Sequence, residues 1–172
     1  MRIILPLLLW VSISGCSSEF DEMKALAEQG DAKAQNNLGL MYANGNGTPQ
    51  DYKEAVKWFR AAAEQGLLVS QITLALTYDL SAIPQDQKEA YKWFKAAAEQ
   101  GSVEAQFELG LIYAKGVGVL QDYKWAHMWY NLAAANGSEL GRTNRDEIAK
   151  QMTPADISEA QQMASDWVKD HP

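Results

Sequence analysis

The sequence predicts an all-α chain, an αα-hairpin solenoid closed by a half-repeat cap at each end. Three observations carry this expectation. Gly30, Gly66, Gly101 and Gly137 recur every 35 or 36 residues. The stretch KWFRAAAEQG at 57–66 returns with one letter changed at 92–101. A period of this size marks a stacked helical array whose every unit is one supersecondary element. The 172 residues, 47% hydrophobic and 22% charged, match one compact domain or one short solenoid.

The chain opens with MRIILPLLLWVSISGCSS. One Arg precedes an apolar run from Ile3 to Trp10, which thins through Ser12 and Ser14 into small residues before a Cys. This pattern reads as a signal peptide over residues 1–15, too short for a stable membrane-spanning helix. Ile13-Ser14-Gly15-Cys16 resembles the lipobox of bacterial lipoproteins, which implies cleavage before Cys16 and acylation of its thiol. Cys16 is the single cysteine, so a lipidated chain forms no disulfide and its stability rests on packing. Several acyl chains on one N-terminus make a stable anchor where one would be marginal. Ser17 after the lipidated position, with no Asp there, resembles sorting to the outer membrane. Residues 16–19 are expected to act as a short tether holding the array about 10 Å from the lipid when extended. EFDEMKALAEQG, over about 20–30, reads as the second helix of a missing repeat.

Residues 31–137 hold three repeats, each of two helices. In the first, Ala34, Leu38, Met41 and Tyr42 form an apolar stripe, with Asp31 placed to cap the start and Gly45 to end it. Its second helix sets Ala55, Trp58, Phe59 and Ala62 on one face. Asp51 with Glu54, and Asp86 with Glu89, resemble capping boxes, and Gly66 and Gly101 supply the left-handed residue that stops a helix. The pattern Gly-x-x-x-Ala-Gln-x-x-Leu-Gly-x-x-Tyr, then Gly-x-Gly, then Asp-x-x-x-Ala-x-x-Trp, resembles the Sel1-like repeat, a relative of the tetratricopeptide repeat. It is carried by Leu38, Gly39, Tyr42 and Trp58, by Trp93, and by Leu109, Gly110, Tyr113 and Trp129. The resemblance implies a right-handed superhelix. The second unit departs from it, with Ala75 where a Gly is expected and a shorter loop lacking Gly-x-Gly.

Residues 138–172 read as C-terminal capping helices that start at Ser138 and at Thr153-Pro154, with Pro at the first helical position. Ile157, Ala160, Ala164, Trp167 and Val168 are expected on one face, covering the third unit.

Charge and residue inventory exclude several functions. Lys and Arg total 15 against 22 Asp and Glu, a net charge of −7, whereas nucleic-acid binders carry a basic patch. His127 and His171 lie far apart, and there is no His-Glu-x-x-His, second cysteine or phosphate-binding glycine loop, so neither metal nor cofactor is expected. Some Sel1-like proteins were described as β-lactamases, but no serine here has the Lys three residues on that such an enzyme needs. His127, at the position of Val56 and Tyr91, reads as a half-buried helix residue and not a general base.

In related arrays the first helix of each unit lines the inner curve, where extended ligands lie. The tetratricopeptide resemblance places Asn36 and Leu40, Ile72 and Leu76, and Phe107 and Leu111 there. The first helix of unit two is apolar on nearly all sides, which suits either burial or a partner groove. Ile72, Leu76, Phe107 and Leu111 are expected to form a groove for a peptide or helix of another envelope protein. The expected function is therefore a non-catalytic interaction scaffold, lipid-anchored in the bacterial envelope at the outer membrane facing the periplasm. Some Sel1-like lipoproteins assist polysaccharide-export complexes, which implies an assembly role. The competing expectation is an envelope enzyme or binder acting on peptidoglycan, a cell-wall hydrolase or β-lactamase-like protein. No paired carboxylates stand out for that chemistry.

Overall fold

A computed structural model of the chain describes residues 15–79 and 84–171. Of the signal peptide read over residues 1–15 all but the last residue, and the shortened loop of the second repeat, fall outside these. Among the described residues the regular structure is entirely helical. In order the helices are α1 (Gly15–Glu28), α2 (Ala32–Asn44), α3 (Tyr52–Glu64), α4 (Leu68–Asp79), α5 (Pro84–Glu99), α6 (Val103–Lys115), α7 (Tyr123–Ala135), α8 (Glu139–Ala149) and α9 (Pro154–Asp170). Residues 16–19, read from the sequence as a tether, are helical, because α1 begins at Gly15. The chain divides into two compact units, one up to Ala61 and one from Ala62.

In the first unit α1 packs on α2 around Ala27, Ala34 and Leu38, with Phe20, Met23, Tyr42 and Trp58 against them. Phe20 meets Tyr42 edge-on, centroids 5.5 Å apart. Asp31 caps α2 as the sequence predicts, accepting from the Ala34 N–H at 2.7 Å, which satisfies one of the orphan donors of the first turn. Gly39 lies against the Phe59 ring; a Cβ there would sit 2.7 Å from it. The Leu-Gly pair thus fills the core with one residue and clears room for an aromatic ring with the next. Asp51 forms half of the expected capping box, accepting from the N–H of Lys53 and of Glu54. Glu54 turns to Lys57 instead, because the Asp51 N–H is already donated to the Tyr42 carbonyl.

In the second unit α4 packs on α5, α5 on α6, α6 on α7, and α7 on both α8 and α9. Ala62, Ala63, Ala97, Ala98 and Ala133 are buried, so the repeated alanines are contact points between helices. Phe94, Leu74 and Leu109 fill the interior, each worth roughly 1.5–3 kcal/mol on burial. Gly66 and Gly101 both take φ 85°, ending their helices in the left-handed region as expected.

Ser138 caps α8 through the Gly141 N–H, and Thr153 caps α9 with Pro154 in its first turn. α9 lies on α7 through Ala160, Ala164 and Trp167. Val168, expected on that face, is exposed: one residue beyond Trp167 turns the side chain about 100° around the axis.

Candidate functional site

The inner-face residues separate into different environments. In the first unit Asn36 is buried and Leu40 is 43% exposed. In the second unit Ile72 is half-buried and Leu76 is 38% exposed. Helix α4 is neither wholly buried nor wholly open. Ser70, Gln71, Leu74 and Ala75 form its core face, while Val69 and Leu76 face outward. Phe107 and Leu111 pack onto the cluster of Ala126, Tyr130 and Ile148, with Phe107 and Tyr130 centroids 5.8 Å apart. Leu111 also lines a cavity of about 220 Å³ with Ala114, Tyr123, Tyr130, Asn144 and Ile148. Burial pushes the Tyr130 hydroxyl up to about 12, against a lowering by its hydrogen bond with Asn144, so the phenol stays neutral.

The repeat residues build the frame behind these surfaces. Leu38 and Leu109 are fully buried, and Gly110 lies against the Tyr130 ring as Gly39 lies against Phe59. Trp93 and Trp129 are buried and Trp58 is half-buried; the indole N–H of each is enclosed without a protein acceptor. Tyr113 is bonded to the Tyr91 hydroxyl at 3.0 Å and stacks on Trp125, centroids 5.7 Å apart. Burial, then the Tyr91 hydroxyl, raise the Tyr113 hydroxyl well above its usual range.

Side-chain amides form a partly buried network of helix ties within each unit. Gln35 donates to the Ala27 carbonyl at 3.1 Å, and Gln71 donates to the Ala63 carbonyl at 3.2 Å. Gln100 donates to Gln71 at 2.8 Å, and Asn136 donates to Gln106 at 3.0 Å. Gln35 and Gln71, at the same position of the first two repeats, thus each tie a first helix to the end of the helix before it. Gln100 and Asn136, each just before a helix-ending glycine, close the contact from the other side. The sequence pattern contains both positions, but a glutamine carries no hydrophobic signal by which burial could be read.

His127 is 2% exposed, not half-buried as the sequence suggested. Its Nδ1 has no partner, and burial followed by the Arg145 guanidinium holds its pKa below the usual value, which fixes the neutral imidazole. Among the described residues no group of His, Cys, Asp or Glu is arranged to hold a metal ion, and no helix is long and apolar enough to cross a membrane.

One cavity was not anticipated. Helices α7 and α9 flank an open cleft of about 500 Å³ walled by Trp125, Met128, Met163 and Trp167 and rimmed by charged residues. The sequence signal for it is a departure from the repeat. Trp125 and Met128 stand where the earlier repeats have Glu54 with Lys57 and Glu89 with Lys92.

The Sel1 repeat pattern matches residues 32–67, 70–102 and 103–138, more than half of the chain. The chain belongs to the Sel1-repeat family. Among solved structures this Sel1-repeat protein is similar to a protective antigen of uropathogenic Escherichia coli with an SLR fold. The TM-score is 0.74 at 34% identity, over 88% of this chain and 33% of that one. It is also similar to a Sel1 repeat protein from Oxalobacter formigenes, with a TM-score of 0.65 at 36% identity, over 75% of this chain and 98% of that one. Over 42 residues, 24% of this chain, it is 48% identical to the secretory immunoglobulin A-binding protein EsiB of Escherichia coli, and that stretch spans 9% of EsiB. Sel1-repeat proteins generally mediate protein–protein interaction.

Proposed function

We propose that this Sel1-repeat protein is a non-catalytic interaction module, lipid-anchored through Cys16 in the bacterial envelope at the outer membrane. It faces the periplasm and holds another envelope protein in an assembly such as a secretion or polysaccharide-export complex. The observation that carries the interaction reading is the set of outward apolar side chains on first helices, Leu40 on α2 and Val69 and Leu76 on α4. Apolar side chains held open on helices whose other faces are packed favour a partner over further folding. The immunoglobulin-binding relative supports protein as the partner class. The anchor rests on the lipobox resemblance at 13–16.

In-cell crosslinking and affinity capture test the reading, comparing wild type with a Leu40→Asp, Leu76→Asp variant of verified helicity. These two positions are used because both side chains are exposed, whereas Phe107 is partly buried against Ala126, Tyr130 and Ile148 and an Asp there would disturb that packing. Capture of one envelope protein by wild type and its loss in the variant is expected; identical capture would refute the role of these side chains. Cys16→Ala should move the protein from the membrane to the soluble fraction, and unchanged fractionation would refute the anchor. Incubation with peptidoglycan should leave it intact, whereas cleavage would favour the enzyme reading.

A further inference from the structure

We infer that the cleft between α7 and α9 binds an arginine side chain presented by a protein partner. The inference rests on the interaction reading above and names the chemistry that one of its surfaces selects. At about 500 Å³ the cleft has the size of a ligand site. Its floor is Met128, 1% exposed.

Both indole walls are fixed before any guest arrives. Trp125, 39% exposed, stacks on Tyr113 with planes 19° apart. Trp167 meets Trp129 edge-on at 4.7 Å and stacks on His171 at 3.9 Å, while the His171 ring approaches the Trp167 carbonyl at 3.0 Å. Side chains held in place this way lose little further freedom on binding, which favours affinity.

The rim supplies the sign of the guest. Asp122, Glu159, Asp166 and Asp170 line the cleft against a single cation, Lys124. Two of these carboxylates are ion-paired. Glu159 pairs with Lys124 at 3.0 Å, and Asp166 pairs with Lys169 at 2.8 Å. One oxygen of Asp122 accepts the N–H groups of Lys124 and Trp125, and Asp170 carries no ion pair among the described residues. An acidic rim over tryptophan walls repels anions and suits a cation, since an indole attracts positive charge to its face. A guanidinium fits better than an ammonium, because it is planar, stacks on aromatic rings and meets carboxylates in bidentate fashion. Lys124 competes for the same ground: a guest at Glu159 takes the place of its ammonium.

The test titrates the full chain with the peptide acetyl-Gly-Arg-Gly-Arg-Gly-amide, followed by tryptophan fluorescence and calorimetry. Its citrulline counterpart, isosteric and neutral, and a muropeptide are titrated alongside. The arginine peptide should bind, more weakly as salt rises, and the other two should not. Glu159→Gln with Asp170→Asn should weaken binding about tenfold, and Trp125→Leu by a similar factor. Lys124→Gln should tighten it. Asp170 is exposed at the end of α9, so Asp170→Asn alone keeps the fold and still weakens binding if Trp125→Leu fails to fold. Equal affinity for the citrulline peptide, binding of the muropeptide in its place, or indifference to the rim variants would overturn the inference. Capture of a protein partner by wild type and rim variants alike would also overturn it, while leaving the interaction reading standing. Rim-dependent peptide binding by a chain that captures no protein would remove the interaction reading and leave the cleft.

Discussion

Substituting Gly110 by Ala tests whether the Leu-Gly pair sets the spacing between α6 and α7. A Cβ at Gly110 would lie 2.4 Å from two carbons of the Tyr130 ring, more than an ångström inside ordinary contact. Tyr130 is 2% exposed and packed against Phe107, Ala126 and Ile148, so the ring cannot retreat without moving the core of α6, α7 and α8. Overpacking of this kind costs about 1–3 kcal/mol, and the upper end applies because a whole ring is displaced and not a flexible tail. Alanine recovers about 1 kcal/mol of helix propensity over glycine. The net loss is then about 2 kcal/mol, or roughly 4–8 °C in Tm for a chain of this length. Urea and thermal unfolding followed by circular dichroism measure it. Gly110→Ala combined with Tyr130→Leu should cost less than the sum of the single changes, since the smaller side chain leaves room for the methyl. A Gly110→Ala protein as stable as wild type, or more so, would refute the argument that ring contact and not helix propensity selects glycine.

Gln71→Leu should destabilise by about 1 kcal/mol in urea unfolding, because it removes the buried bond to the Ala63 carbonyl and the bond from Gln100, while the Ala63 carbonyl keeps the Gly66 N–H and the Gln100 amide keeps the Gly66 carbonyl. Replacing Ser138 by Ala should cost about 1 kcal/mol through the lost cap on α8, and Ser138→Asp should restore most of it. His127 has a folded pKa below its unfolded one. The unfolded chain therefore binds the extra proton first, and stability that is full above about pH 6.5 falls as the pH drops below it. Thermal unfolding of His127→Gln should show a shallower loss between pH 7 and pH 5 than wild type; parallel curves would mean the imidazole is protonated in the fold.

Much of the fold was legible because punctuation and periodicity act locally. Asp31, Ser138 and Thr153 announce helix starts by side-chain chemistry alone, and Gly66 and Gly101 announce ends by backbone freedom. Surface assignments were less legible, because they depend on which helix covers which. Asn36 was placed on the inner face and is buried, and His127 was expected to be half-buried and is enclosed. Phe107 and Leu111, inner-face positions in the sequence pattern, are partly covered because they pack against Tyr130 and Ile148 of α7 and α8. The α7–α9 cleft left its trace in the replacement of a Glu and a Lys by Trp125 and Met128, visible only by comparing the third repeat with the first two.

The amide network also bears on how such a chain changes length. Gln35 satisfies the carbonyl of Ala27 and Gln71 that of Ala63, eight residues back in both cases. The first and second repeats each bring a glutamine that tends the last turn of the helix before them. Loss or duplication of one whole period would therefore rejoin such a glutamine to an equivalent carbonyl, whereas a cut at any other place would separate the buried glutamine from its acceptor. Recombination between near-identical stretches such as 57–66 and 92–101 would remove or add one such period. A join within the decapeptide would thus keep the period that the helices need to pack.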